Sequence, residues 1–447
     1  MAEQNVWTET NGVWKRSLGA METFYLSLAS PVGQPVHWMI GCGVSVAYRG
    51  DDKVDVESAL KQAWKDTRLR FPGLSATVDP VEKQVVVGPR DAASVDAWLE
   101  KSFIVHDGVE ADDLFASFKS QLCITVHFLR DRGELVVQAQ HVLLDGRGIL
   151  SVLDAMFSTL SGRRSGDAAQ PSGDETLSKS LDSWLSFSQV PSPQDIEAAQ
   201  SLFARFMQEK PVALPDVDFA RTPKRPVHRE LRLDLADTQK IVSACRSKGL
   251  TVTTAWHAAL VIATQKMQSS RGVEGTTYTQ FTTIDLRRWF PEPFQRSRDS
   301  VACLQTALPF VVDCGEGSSF DTISRGLQHD YRNPFAFARG DLSCLLPGMA
   351  MYRQLVESGQ VPPNSTPSLS SMGVVDDILK PRYGDWELDG YWVSSTMMTG
   401  DFQVYLWTWR GQMVFSACFN DGFYEAERAD DILRAISGEM KKGLGVA

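Results

Sequence analysis

A histidine followed by an aspartate and a glycine at fixed spacing is the feature of this sequence best suited to chemistry. His141, Asp145 and Gly146 fall within residues 138–148. An imidazole can accept a proton near neutral pH and return it, and a general base must be held firmly while it faces a cavity. The position of His141 between a predicted strand and a predicted helix suits a general base. A histidine packed in a core or in a turn is the alternative.

The residues on either side predict the elements that would hold this histidine. Residues 133–137 follow a turn and are rich in β-branched side chains, which indicates a strand, and apolar residues recur at helical spacing over residues 149–157. Gly146 and Gly148 are expected to supply a turn that residues with side chains would resist. His141 would therefore lie where a strand ends and before a helix begins.

Other chemistries have weaker support in the sequence. A metal site at His141 and Asp145 would need two more ligands, and no nearby histidine or carboxylate completes the set, so no metal is expected. His257 lies in an apolar segment and is interpreted as a packed core histidine. No glycine-rich dinucleotide or phosphate loop and no Gly-x-Ser-x-Gly motif occurs, so the motifs for nucleotide chemistry and for serine hydrolysis are missing.

Length and composition are those of a globular protein with a sizeable core. The chain has 447 residues, 43% of them hydrophobic and 10% aromatic, which is enough for two domains. Its net charge is −10, and it shows no clustering of lysine and arginine. Affinity for nucleic acid or for an anionic membrane is therefore not expected.

Cysteine usage and the N-terminus favour a cytoplasmic protein. Seven cysteines are scattered without Cys-x-x-Cys spacing, which favours reduced thiols over a disulfide framework or a zinc site. Residues 1–5 do not form a basic region followed by an apolar core, so no secretory signal is expected. Polar residues interrupt the longest apolar runs, such as residues 252–267, so no membrane span is expected.

Strand and helix patterns recur in both halves of the chain, which predicts an α/β protein with two related lobes. The N-terminal lobe is expected at residues 1–210 and the C-terminal lobe at residues 211–447. Predicted elements of the first lobe are strands at 37–48, 75–78, 84–87, 123–129 and 134–140, and helices at 56–69 and 196–209. Those of the second are strands at 230–235, 276–284, 405–410 and 412–419, and helices at 237–248, 255–267, 320–332, 350–355 and 425–441. A surface loop at 161–174 and an extended crossover at 211–226 are also expected.

The His141-x-x-x-Asp145-Gly146 pattern resembles the His-x-x-x-Asp-Gly motif of a large acyltransferase superfamily. That superfamily contains chloramphenicol acetyltransferase, the condensation domains of peptide synthetases and the BAHD acyltransferases. Segments 14–22, 370–375 and 404–421 are similar, in the same order along the chain, to segments of fungal members. The sequence is identified on these segments as closest to the trichothecene-type O-acetyltransferases.

The resemblance implies a fold, a reaction and several residue roles. Two lobes of chloramphenicol acetyltransferase type would enclose a channel with His141 inside it. His141 would deprotonate an acceptor hydroxyl or amine, which attacks an acyl thioester without a covalent enzyme intermediate. Asp145 would form a structural salt bridge with Arg287 of the second lobe and so tie the histidine loop to that lobe. Ser371 and Thr396 are candidates for polar contacts to the oxyanion or the acceptor.

Two departures from the family patterns keep alternatives open. Plant BAHD enzymes carry Asp-Phe-Gly-Trp-Gly, whereas residues 401–405 read Asp-Phe-Gln-Val-Tyr. Condensation domains usually have two consecutive histidines, and here the first position is Gln140. A carrier-protein donor or an amine acceptor is one alternative. The other is a protein of the same fold that binds no acyl-CoA and promotes a cyclisation, dehydration or cycloaddition of a natural product.

The sequence therefore predicts an acyl-CoA-dependent acyltransferase, with O-acetylation of a hydrophobic secondary metabolite as its expected reaction. Acetyl-CoA would serve as a co-substrate, and no resident cofactor is expected. The expected partners are acyl-CoA and a small-molecule acceptor, and the protein is expected to be a monomer.

Overall fold

The computed structural model describes residues 6–162, 177–185, 190–206, 211–292, 294, 299–333, 344–358 and 363–446. The chain divides into two compact units, and each contains a six-stranded sheet. The first unit consists of Met1–Ser186, Asp285–Gln305 and Val375–Thr396. The second consists of Phe187–Ile284, Thr306–Val374 and Met397–Ala447.

The described residues form sixteen strands and twelve α-helices. The strands are β1 (Thr8–Thr10), β2 (Val13–Ser17), β3 (Met39–Tyr48), β4 (Ala76–Asp79), β5 (Gln84–Val87), β6 (Phe103–His106), β7 (Thr125–Leu129), β8 (Glu134–Gln140), β9 (Pro226–Arg232), β10 (Thr277–Asp285), β11 (Gln305–Asp313), β12 (Ser368–Val374), β13 (Arg382–Tyr383), β14 (Trp386–Ser395), β15 (Gln403–Trp409) and β16 (Gln412–Asn420). The helices are α1 (Ala20–Ser27), α2 (Val56–Arg70), α3 (Ala92–Ser102), α4 (Ala111–Ala116), α5 (Gly146–Leu160), α6 (Leu181–Leu185), α7 (Pro193–Phe206), α8 (Leu235–Lys248), α9 (Val252–Ser269), α10 (Phe320–Arg332), α11 (Leu345–Glu357) and α12 (Ala426–Leu444).

The first unit is built on a mixed sheet in the order β13-β14-β3-β8-β7-β6. Neighbouring strands are antiparallel except for the parallel pair β6 and β7. Strand β8 lies in the middle, and every residue after Glu134 in it is buried. Its register places Gln140 opposite Met39, so the chain leaves β8 beside the start of β3. A smaller antiparallel sheet, in the order β1-β2-β5-β4, completes the strands of this unit.

The second unit contains a sheet in the order β11-β10-β12-β15-β16-β9. Strands β10, β12 and β15 pair in parallel, whereas β15–β16 and β16–β9 are antiparallel. Arg410 and Gly411 join β15 to β16 with φ angles of 50° and 75°, which is the left-handed conformation that a two-residue hairpin turn requires. Helices α9 and α12 contribute to the core of this unit, where the ring of Trp256 stacks on Phe415.

One strand–turn–helix arrangement occurs in both units. Strand β8 ends at Gln140, a turn follows, and α5 begins at Gly146; strand β16 ends at Asn420, a turn follows, and α12 begins at Ala426. In each turn the carbonyl oxygen of the last strand residue accepts the amide hydrogens of the third and fourth residues after it, at 2.9–3.2 Å. The six-residue spacing is the same in both copies.

Most predicted elements are confirmed within a few residues of their bounds. The loop predicted at 161–174 lies almost entirely outside the described residues. The two compact units contain different residue ranges from the predicted lobes 1–210 and 211–447. Residues 285–305 and 375–396 come late in the sequence yet pack in the first unit. Strand β14 of the later segment pairs with β3 along nearly its whole length, and Arg287 and Leu304 of the earlier segment bond to Asp145. Such long-range pairing has no local signature in the sequence.

Candidate active site

His141 directly follows the central strand β8, as the sequence predicts. The turn after it is closed by the amides of Leu143 and Leu144, which donate to the carbonyl of Gln140 at 3.0 and 3.2 Å. Val142 and Leu144 are almost completely buried and anchor the turn in the core. The backbone of His141 is therefore held from both sides, by the strand before it and by the packed turn after it.

The imidazole of His141 lies against the ring of Tyr25 on α1. The ring centroids are 4.6 Å apart and the planes differ by 14°, which is a stacked arrangement. Residue 141 keeps intermediate exposure, although its Nδ1 atom is buried and has no hydrogen-bond partner among the described residues. Burial lowers the pKa of His141 to about 3. The imidazole is therefore neutral at physiological pH, which is the protonation state that a general base needs.

A small cavity lies beside His141. Aromatic and aliphatic side chains form most of its wall, and its lining residues are Tyr25, Leu28, Ala29, Val36, His37, Trp38, Gln140, His141 and Val142. Such a wall favours an apolar ligand with few polar contacts. Trp38 has a φ of 61°, a strained conformation for a bulky residue. Its amide donates to the carbonyl of Thr396 at 2.7 Å, which holds the strained residue in place.

Asp145 and Arg287 form a buried, bidentate ion pair. Nη2 of Arg287 donates to Oδ1 of Asp145 and Nη1 donates to Oδ2, both at 2.9 Å, and the two side chains are 2% and 4% exposed. Oδ1 also accepts the amide of Gly148 at 2.7 Å, and Oδ2 accepts the amide of Leu304 at 2.7 Å. Each carboxylate oxygen of Asp145 thus accepts one backbone and one guanidinium hydrogen.

Both terminal nitrogens of Arg287 make further hydrogen bonds on its own side of the pair. They donate to the carbonyls of Ser300 and Ala302 and to Asp285 at 2.9–3.2 Å. Burial alone would lower the pKa of Arg287, but Asp145 and Asp285 outweigh it and the pKa is raised. Arg287 packs in the first unit rather than in the second lobe, where it was expected. The pair therefore joins the histidine turn to residues 285–305 of the same unit.

The glycines of the motif serve a different purpose from the predicted one. Neither Gly146 nor Gly148 is among the described residues with positive φ. Gly146 is the first residue of α5, and Asp145 is its N-cap. A Cβ atom on Gly148 would lie 3.0 Å from the carbonyl oxygen of Ala302 and 3.2 Å from that of Ser300. Gly148 is therefore required by the close approach of a neighbouring backbone rather than by a turn conformation.

The two predicted polar contacts lie in different units. The hydroxyl of Thr396 is buried in the first unit, where it donates to the carbonyl of Val36 at 2.6 Å and accepts the amide of Met39 at 3.0 Å. Its hydrogen is therefore engaged within the protein, which counts against a direct contact with the acceptor. Ser371 lies on β12 of the second unit, and its hydroxyl shares a hydrogen bond of 2.8 Å with Thr253.

Tyr25 and Trp38 were missed from the sequence. A signal existed for the helix that carries Tyr25, because the segment from Trp14 to Glu22 is similar to fungal acetyltransferases. In the structure Arg16 and Glu22 of that segment form a buried bidentate pair. No sequence signal marks the strained backbone of Trp38, since tryptophan rarely adopts positive φ.

No group of three or more metal-binding side chains occurs within the part of the chain that the structure describes. A search of the same residues for helices long and apolar enough to span a membrane also finds none.

Comparison with known proteins identifies relatives over the whole chain. No family model matches it. The chain is 26% identical to the O-acetyltransferase pigM of Monascus ruber, over 98% of this chain and 87% of that protein. It is 24% identical to the acetyltransferase pigO of the same organism, over 98% of both. The structure of the trichothecene 15-O-acetyltransferase TRI3 from Fusarium sporotrichioides superposes with a TM-score of 0.76 at 15% identity, covering 98% of this chain and 99% of TRI3.

These findings confirm the resemblance drawn from the motif. The chain has the mixed α/β fold of the chloramphenicol acetyltransferase-like acyltransferases, with a sheet in each of its two units. It is homologous to fungal O-acetyltransferases, which supports the predicted class of enzyme, an acyltransferase.

Proposed function

We propose that this protein transfers an acyl group, preferably acetyl, from acyl-CoA to a hydroxyl group of a hydrophobic secondary metabolite. The observation that carries the proposal is the neutral imidazole of His141, held at a strand end beside a largely apolar cavity. Its relatives pigM and pigO are named as acetyltransferases, which supports acetyl as the group transferred, and TRI3 is named as a trichothecene 15-O-acetyltransferase, which supports a hydroxyl of a secondary metabolite as the acceptor.

In this mechanism His141 accepts the proton of the acceptor hydroxyl as its oxygen attacks the thioester carbonyl. A tetrahedral oxyanion forms and collapses, the carbon–sulfur bond breaks, and CoA thiolate leaves. The imidazolium of His141 then returns the proton to the thiolate, so the enzyme ends in its starting state. No covalent enzyme intermediate is needed, and the cysteines take no part.

The other proposed roles follow from the contacts. Asp145 and Arg287 organise the turn. Asp145 does not exchange protons with the substrate, because each oxygen of its carboxylate already accepts one backbone and one guanidinium hydrogen. Ser371 stays a candidate for a polar contact to the oxyanion, since either hydroxyl of its pair with Thr253 can be the donor. The channel between lobes, the monomeric state and the cytoplasmic location stay predictions from the sequence.

The proposal is tested by measuring CoA thiol release from acetyl-CoA and longer acyl-CoAs with a panel of hydroxylated, hydrophobic metabolites. His141→Ala should abolish release that depends on the acceptor. His329→Ala is the matched control, because His329 is an exposed histidine on α10 of the second unit. If the wild type releases no CoA and calorimetry detects no acyl-CoA binding, the acyl-CoA proposal is wrong and CoA-independent chemistry becomes the better explanation.

The pH profile supplies a second test. A base must be unprotonated to act, and burial lowers the pKa of His141 to about 3. The acid limb of kcat/KM assigned to His141 should therefore lie well below the value of about 6.5 for a free histidine. An acid limb at pH 6.5 or above that persists when each of the other histidines is replaced would belong to His141. That result would contradict a buried base with a lowered pKa.

A further inference from the structure

A catalytic histidine usually has its second ring nitrogen hydrogen-bonded to a carboxylate or a carbonyl, which fixes the ring orientation. His141 lacks this partner among the described residues, because its Nδ1 is buried without a hydrogen bond. Asp145, the nearby carboxylate in sequence, uses both oxygens on Arg287 and on backbone amides. The orientation of the imidazole must therefore come from packing.

Tyr25 supplies a flat surface for that packing. Its ring lies parallel to the imidazole within 14°, at a centroid distance of 4.6 Å. Aromatic stacking of this kind is favourable beyond the area it buries and depends on the angle between the planes. Rotation of the imidazole out of its plane would lose the contact.

The ring of Tyr25 is itself fixed at both ends. Nε2 of Gln305 donates to its hydroxyl at 2.9 Å, and Phe24 contacts it edge-on at 5.4 Å. Tyr25 is only 8% exposed. A stack against a mobile ring would orient nothing, whereas this ring has a defined position.

Helix α1, which carries Tyr25, is anchored at its N-terminus by buried acidic side chains. Glu22 accepts the amide of Gly19 at 2.7 Å and pairs with Arg16, and Asp182 accepts the amide of Ala20 at 2.8 Å. These bonds satisfy amides at the first turn of the helix, which have no partner within it. The position of the helix, and so of Tyr25, is set by a network that lies apart from the turn of His141.

We propose that Tyr25 is a positioning residue for His141 and that its buried ring sets the plane of the imidazole by stacking. The inference rests on the proposed function of His141 as the base. Stacking uses neither ring nitrogen, and Nδ1 has no hydrogen-bond partner among the described residues, so the substrate would meet an imidazole that is oriented through its face.

The test compares four variants by steady-state kinetics in the CoA-release assay. Tyr25→Leu removes the aromatic face and should lower kcat by about 10- to 100-fold, because a misplaced catalytic group costs on this order. Its KM for acetyl-CoA should change by less than about threefold, since the variant acts on the orientation of the base. Tyr25→Phe keeps the face and should restore kcat to within about threefold of wild type. Met21→Ala removes a buried side chain from the same helix and should leave kcat near the wild-type value.

Three results would overturn the inference. The first is a kcat of Tyr25→Leu within threefold of wild type. The second is an equal loss in Tyr25→Phe, which would assign the role to the hydroxyl. The third is an equal loss in Met21→Ala, which would assign it to general packing of α1. If Tyr25→Leu does not fold, Tyr25→Met, which has a flexible side chain that adapts to the cavity without a ring, takes its place and carries the same expectation. His141→Ala is measured beside them, and its full activity would refute the proposed base independently of Tyr25.

Discussion

Replacement of Asp145 by asparagine should destabilise the protein as strongly as a charge deletion, although the two side chains have the same shape. Each oxygen of the carboxylate accepts one backbone amide and one guanidinium hydrogen, at 2.7–2.9 Å. An asparagine must place its NH2 group at one of these oxygens. Whichever way the amide turns, a donor then faces two donors, from Arg287 and from the amide of either Gly148 or Leu304.

The magnitude follows from burial. The side chains of Asp145 and Arg287 are 2% and 4% exposed, so the charge on Arg287 would have little solvent to replace Asp145 and would keep only the single bond from Nη1 to the partly exposed Asp285 among its described carboxylate contacts. Removing one member of a buried pair costs about 3–5 kcal/mol. For a unit of this size each kcal/mol lowers the melting temperature by about 2–4 °C, so a drop of roughly 6–20 °C is expected.

The assay is scanning calorimetry of Asp145→Asn beside a matched control. Asp234→Asn is the control because Asp234 also caps a helix, α8, by accepting the amide of Asp237 at 2.7 Å, but it is exposed. Asparagine is as good an N-cap as aspartate, so the control should lose less than about 0.5 kcal/mol. A loss in the free energy of unfolding below about 1 kcal/mol in Asp145→Asn, or one equal to that of the control, would refute the argument that the buried ion pair causes most of the destabilisation.

Three further perturbations should have distinct outcomes. Gly148→Ala should lose about 1–3 kcal/mol in urea unfolding because its Cβ would press on the carbonyl of Ala302; an unchanged midpoint would contradict that close approach. Burial and the neighbouring charge of His106 lower the pKa of His127 to about 4. Its contribution to the free energy of unfolding, about 3 kcal/mol, is therefore present above pH 6.5 and lost as the pH falls to 4. His127→Gln should therefore flatten the loss of stability between pH 6.5 and 4, and an unaltered slope would count against this. Burial raises the pKa of Asp182 to about 6, so a cost of ionisation is present above pH 6 and vanishes as the pH falls to 4. Asp182→Asn should raise the melting temperature at pH 8 but not at pH 4; a gain of equal size at both pH values would point to another cause.

The sequence predicted the part of the site that is encoded locally. Alternation and helical spacing placed His141 at the end of a strand, and the motif with its family resemblance brought Asp145 and Arg287 together in advance. The glycine argument was different, because Gly148 is needed for contact with a backbone more than 150 residues away in sequence. A local pattern cannot carry such information.

Tertiary packing accounts for what the sequence could not predict. The unit to which Arg287 belongs depends on the packing of residues 285–305, which are distant in sequence from most of the first unit. Tyr25 reads as an ordinary apolar residue of a helix until its ring is seen against the imidazole. Thr396 is a polar residue after a strand, and only the structure shows its hydroxyl bonded to the backbone of Val36 and Met39.

The strand–turn–helix arrangement occurs twice, so the polar groups of its two turns can be compared directly. In the second copy Asn420 makes three close hydrogen bonds, and the next residue, Asp421, accepts the amide of Arg225. In the first copy the corresponding Oε1 of Gln140 and Nδ1 of His141 are buried without partners among the described residues. The same backbone turn thus exists once with these polar groups satisfied and once with two of them unsatisfied. Under the proposed function, the unsatisfied groups of the first copy belong to the base and to the residue before it, whereas the second copy shows that the same turn can form with its polar groups hydrogen-bonded.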